Sequence, residues 1–181
     1  MGENLIKKML RSLLLFVAAA LVLLALLVIA KRVPSLKQQN FMRQYASVEE
    51  VKRVLELDRV LVPTYFPEGV AWPPTVILAQ KKPYEAVIME FRKAEKAGTT
   101  LVIIQSSLQG RYSQLERIPM LEVKEETAYP LKGRRAELQV GACPGGTTCS
   151  RISWDDSGLH CTVLFMAPPF ELIKIAESMI H

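Results

Sequence analysis

The residues that could carry chemistry are few. Cys143, Cys149 and Cys161 are the three cysteines, and His160 and His181 the two histidines. The loop Cys143-Pro-Gly-Gly-Thr-Thr-Cys149 is rich in turn formers and lies between two predicted strands. A disulfide across it would staple the hairpin. Pairing of Cys161 with either of the other two is the competing arrangement. Cys161 alternates with Leu159, Val163 and Phe165, the pattern of a buried thiol acting as a small hydrophobe. A metal site from Cys143, Cys149, His160 and Cys161 would need a spacing that no common zinc pattern has. His160 must also point to the opposite strand face from Cys161. No metal and no cofactor is expected.

Aspartate is limited to Asp58, Asp155 and Asp156, and the last two fall in a predicted turn. No Ser-His-Asp grouping, helix-borne metal pair or phosphate loop stands out along the chain. Gly145-Gly146 is turn chemistry, and Glu85 and Glu90 are carboxylates at an arbitrary spacing. The remaining catalytic reading is an enzyme acting through Cys161 or the Cys143/Cys149 pair. The expectation is a protein that is not an enzyme.

The elements that must position these residues follow from hydrophobic pattern. Leu13 to Ala30 reads LLLFVAAALVLLALLVIA, without charge, Pro or Gly. As a helix it would extend about 27 Å, close to a bilayer core of about 30 Å. Lys7, Lys8 and Arg11 precede it and Lys31 and Arg32 follow, placed to reach headgroups. A cleaved signal peptide is the alternative, but its apolar region is usually shorter. The predicted organisation is a tail at 1–11, a transmembrane helix at 12–32, a juxtamembrane linker at 33–46 and an extracytoplasmic α+β domain at 47–181.

Charge supports that division. Residues 1–32 hold five of the 23 basic residues and one of the 18 acidic ones, leaving 18 against 17 in the remainder. A nearly neutral domain argues against nucleic acid as a partner. The bilayer, met through Leu13 to Ala30, is one expected partner, and a membrane or envelope protein is the other. The flanking charges give no clear orientation. The short N-terminal tail and the cysteine pattern favour a single pass in the cytoplasmic (inner) membrane, N-terminus inside.

Ser47 to Asp58 has a capping box in Ser47 and Glu50 and an apolar face of Val48, Val51, Val54 and Leu55. Strands are predicted near Thr75–Lys81, Ala86–Lys93, Thr99–Ser106, Pro119–Glu125, Arg134–Gly141, Ser150–Trp154 and Leu159–Met166. Their short connections favour antiparallel pairing. Leu101-Val102-Ile103-Ile104 is apolar on both faces, so that strand should be central and covered. Pro168 to His181 is the closing helix.

The segments PTYFPEGV, SRISWDDSGLHCTVLF and LIKIAESMI resemble an uncharacterised bacterial domain family found in membrane-anchored, anti-sigma-like and sporulation-associated proteins. That family is distantly similar to the periplasmic lipoprotein-carrier fold. The resemblance covers roughly residues 62–180. It implies a curved antiparallel sheet packed with helices, outside the cytoplasmic membrane, and supplies no catalytic residues. The Cys143–Cys149 loop departs from the family pattern. The short tail leaves no room for a sigma-factor-binding domain.

Two functions are expected from these features. One is a non-catalytic binding or scaffold module, an accessory subunit or adaptor of an envelope complex. The other is a carrier or sensor of a lipid or other apolar ligand, with Trp72, Phe91, Ile103, Trp154 and Phe165 lining its cavity or simply filling the core.

Overall fold

From Val76 onward, runs of β-branched and aromatic residues separated by tight turns build seven of the eight strands of one antiparallel sheet. The computed structural model describes residues 42–93, 98–111, 115 and 117–180, together with Phe16. The chain divides between Phe41 and Met42. The predicted span Leu13 to Ala30, its tail and nearly all of its linker lie outside the described residues, except that Phe16 is helical and exposed. Among the described residues no helix is long and apolar enough to cross a membrane.

The elements in order are β1 (Arg43–Tyr45), α1 (Val48–Leu55), β2 (Val76–Gln80), β3 (Ala86–Arg92), β4 (Thr99–Ser107), β5 (Glu122–Leu131), β6 (Arg134–Ala142), β7 (Thr148–Asp156), β8 (Leu159–Phe165) and α2 (Pro169–Ser178). They make the expected α+β fold, mostly sheet, with a helix before the main strands and one after them. The sheet is open and runs β1-β2-β3-β4-β8-β7-β6-β5. Both helices contribute to a single core on one face. Val48 and Val51 of α1 join Leu172, Ile175 and Ala176 of α2 against Met89, Ile103, Ile152 and Val163 of the strands.

β4 is central, as its doubly apolar sequence requires. Leu101 and Ile103 face the core, and Val102 is equally buried on the other side. Glu90 of β3 is buried on that second side, where Arg117 donates to it at 2.6 Å and Thr99 at 3.1 Å. The described parts of the β4–β5 connection therefore cross this half of the sheet.

Gln105, further along β4, is a polar residue 3 % exposed. Its side chain accepts from the Leu61 N–H at 2.7 Å and donates to the Leu61 carbonyl at 2.6 Å. One amide thus replaces a strand partner for the proline-rich segment around Leu61. Ser178, at the end of α2, holds the same segment further on, accepting from the Thr64 and Tyr65 N–H groups at 3.2 Å.

Four boundaries differ from the sequence expectation. α1 stops at Leu55 because Glu56 turns left-handed at φ 50° and the next N–H, from Leu57, returns to the Lys52 carbonyl at 3.1 Å. β1, inside the predicted linker, pairs with β2 through Arg43, Gln44 and Tyr45. β5 begins later and runs to Leu131, because Lys132 and Gly133, both at positive φ, form a two-residue turn into β6. Asp155 and Asp156 belong to β7, not to the turn, which is Ser157-Gly158 at φ 50° and 87°.

Candidate functional site: a polar groove on the helix-free sheet face

The position of the β7–β8 turn decides which side chains stand opposite each other. With Ser157-Gly158 as the loop, Asp155 pairs in register with His160 and Ser153 with Thr162. Period-two alternation sends Ile152, Trp154 and Asp156 into the core and leaves Arg151, Ser153 and Asp155 on the opposite face. β8 sends Cys161, Val163 and Phe165 inward and presents His160 and Thr162 beside Asp155 and Ser153. On β6, Glu137 registers with Ser153 and Gln139 with Arg151. Glu126 of β5 registers with Gln139.

Of the side chains named on this face, all except Gln139 line a groove of about 750 Å³, which Arg111 and Leu115 of the β4–β5 connection also line. Two hydrogen-bonded rows cross it. In the first, Asp155 Oδ1 lies 2.8 Å from His160 Nδ1, and His160 Nε2 lies 3.5 Å from Thr162 Oγ1. Thr162 Oγ1 is in turn 3.0 Å from Ser153 Oγ. Arg111 forms an ion pair with the other Asp155 oxygen. In the second row, Arg151 donates to Gln139 Oε1 at 2.9 and 2.5 Å. The Gln139 amide then donates to Glu126 at 2.9 Å and to Glu137 at 2.7 Å. The lining balances three arginines, Arg111, Arg135 and Arg151, against Asp155, Glu126 and Glu137. Such a surface suits a polar ligand or a partner's polar side chains.

Of the residues singled out by the sequence, His160 and Trp154 reach the groove and the others fall elsewhere. Phe91, Ile103, Trp154 and Phe165 lie together in the core cluster. Trp154 also borders the groove, and its indole N–H, buried, has no hydrogen-bond partner among the described residues. Trp72 sits at the rim, 41 % exposed, with its ring centroid 6.4 Å from those of Phe66 and Phe91. A turn at Asp155–Gly158, as the sequence suggests, would set Ser153 and not Asp155 opposite His160. The usable signal was the dipeptide Ser157-Gly158, which permits positive φ and puts Asp155 and His160 opposite each other.

Cys143 and Cys149 are joined by a disulfide, with Cα atoms 5.9 Å apart, at the β6–β7 connection. This settles the pairing in favour of the loop staple. Closing a short loop of this kind stabilises by about 2 kcal/mol in the chain-entropy account. A Cys143→Ser, Cys149→Ser double variant is expected to lose about that much, read from its urea midpoint. Cys161 is a buried free thiol. Burial, and then the charge of Asp156, push it up to about 12. Under non-reducing conditions, iodoacetamide should therefore leave the folded protein unmodified. It should label Cys161 alone once the chain is unfolded, as read by peptide mass spectrometry.

No family model, curated protein or solved structure matches the chain. The chemistry of the groove is accordingly read from its own residues.

Proposed function

We propose that this chain is a single-pass membrane-anchored protein whose α+β domain works outside the cytoplasmic membrane as a binding module, an accessory subunit or adaptor of an envelope complex. The observation that carries this reading is the sheet face opposite α1 and α2. It keeps an open groove with both signs of charge and hydroxyl groups in its lining. A face left for solvent alone needs no concavity and no crossing network of Gln139, Arg151 and two carboxylates. Complementary charge of this kind orients a partner and selects against wrong ones.

The remaining parts fit that setting. The Cys143–Cys149 disulfide suits an oxidising compartment. The run Leu13 to Ala30 supplies an anchor of bilayer length. In the proposed arrangement the sheet curves around its helices and turns the groove toward a neighbouring envelope protein.

Gentle detergent extraction of the full chain from its native membranes, followed by native mass spectrometry, tests the reading. A stoichiometric membrane or envelope protein should accompany the wild type and be lost from a Ser153→Arg variant that fills the groove. A chain that always flies alone would refute the adaptor role.

A further inference from the structure

The first row across the groove is carried by one hairpin, with Asp155 on β7 and His160 and Thr162 on β8. A carboxylate, an imidazole and a hydroxyl stand in line, with Asp155 at His160 Nδ1 and Thr162 at His160 Nε2. We propose that Asp155, His160 and Thr162 form a nucleophile relay that transfers the acyl group of small polar carboxylic esters to water.

The geometry assigns each role. Asp155 accepts from Nδ1–H, which leaves the lone pair of Nε2 facing Thr162. The Nε2–Oγ1 separation of 3.5 Å is long. Catalytic hydrogen bonds of this sort commonly tighten only when substrate is bound. Ser153, 3.0 Å from Thr162 Oγ1, holds the hydroxyl in the groove. Arg151 stands two residues before Ser153 on the same face and lines the same groove, where its guanidinium is held by Gln139. His160 is largely covered, and the groove above it is large enough for a small substrate.

In the proposed reaction, Thr162 Oγ attacks the ester carbonyl carbon and its proton passes to His160 Nε2. The ester C–O bond breaks, and the imidazolium protonates the leaving alkoxide. Water then attacks the acyl-threonine, giving its proton to His160. The acid departs as that proton returns to Thr162 Oγ. One ester and one water give one alcohol and one acid, and no oxidant or reductant is required. Asp155 acts as a positioning residue, because among the described residues its carboxylate is bonded to the imidazole and to Arg111.

The inference rests on the groove being an accessible binding surface, as proposed above. The test is p-nitrophenyl acetate turnover by the full chain in detergent, with acid-quenched samples mapped by peptide mass spectrometry. An acetyl group on Thr162 of the wild type is expected. Thr162→Val and His160→Gln should each lower turnover about 100-fold, the scale of general acid–base assistance. Asp155→Asn should lower kcat while leaving KM in place. Wild type that carries no acetyl group on Thr162, or Thr162→Val that hydrolyses ester at the wild-type rate, overturns the relay. The wild-type adduct needs no variant to fold. A partner that still reaches Ser153 in that case leaves the binding reading standing while the relay falls.

Discussion

Replacing Gln105 with Leu should destabilise the domain by about 4 kcal/mol, although the substitution keeps nearly the same volume. The side chain sits on the core face of the central strand, and its amide meets both backbone groups of Leu61. Leu61 is itself only 5 % exposed. Leu at position 105 would pack, but would leave one buried N–H and one buried carbonyl without partners. Each such group costs about 1–3 kcal/mol. The melting temperature should fall by roughly 10–15 °C, at about 2–4 °C per kcal/mol for a domain of this size. Gln105→Glu should be at least as damaging, because it keeps the acceptor but loses the donor to Leu61 and buries a charge. A Gln105→Leu melting temperature within about 2 °C of wild type would show that the two Leu61 hydrogen bonds contribute little to holding the segment.

The second large effect is acid lability through Asp156. Its carboxylate is 4 % exposed and accepts from Arg59 at 3.1 Å and from Arg134 at 2.9 Å. Burial alone would raise its pKa. The hydrogen bonds from Arg134 and Ser157, with the charges of Arg134 and Arg59, outweigh that and hold it below the usual carboxylate value. A carboxylate depressed in the folded state stabilises above its unfolded pKa of about 3.9, and that contribution is lost as pH falls through the folded value. At neutral pH, Asp156→Asn should cost about 2–3 kcal/mol, less than a fully buried pair because both arginines reach water. Below pH 4 the gap between wild type and variant should narrow, since protonation removes the same charge. Urea midpoints measured from pH 7 to pH 2.5 give the comparison. A gap that stays constant over that range would mean that Asp156 holds the turn by shape and not by charge.

The sheet was largely legible in the sequence because its signals are local. Leu101 to Ile104 required a doubly covered strand, and β4 lies at the middle of the sheet with Val102 buried behind it. Ser47 and Glu50 announced α1, and Ser47 Oγ accepts the Glu50 N–H at 3.1 Å. The reciprocal Glu50 bond goes to the Ala46 N–H, one residue before the cap. β5 was harder to place, since Lys124, Glu125, Glu126 and Pro130 hide a strand that is exposed along most of its length. β1 has three residues, too few to show any period.

The groove was not legible, and the reason is register. A slip of two residues keeps each side chain on its face but changes which residue stands opposite it. The choice between a turn at Asp155–Gly158 and one at Ser157-Gly158 decides whether Asp155 meets His160. Gln139, Glu126 and Glu137 come together only because β6 lies between β5 and β7. The connection carrying Arg111 also lines the groove. None of those relations is a spacing along the chain.

The central claim is that the sheet face opposite α1 and α2 docks a partner, and site-directed photocrosslinking in intact cells tests it most directly. A photoreactive residue at position 153 lines the groove, and one at position 54 lies on the exposed side of α1. The account predicts a discrete membrane or envelope protein adduct from position 153 and none from position 54. An adduct from position 54 alone, with position 153 silent, would contradict it.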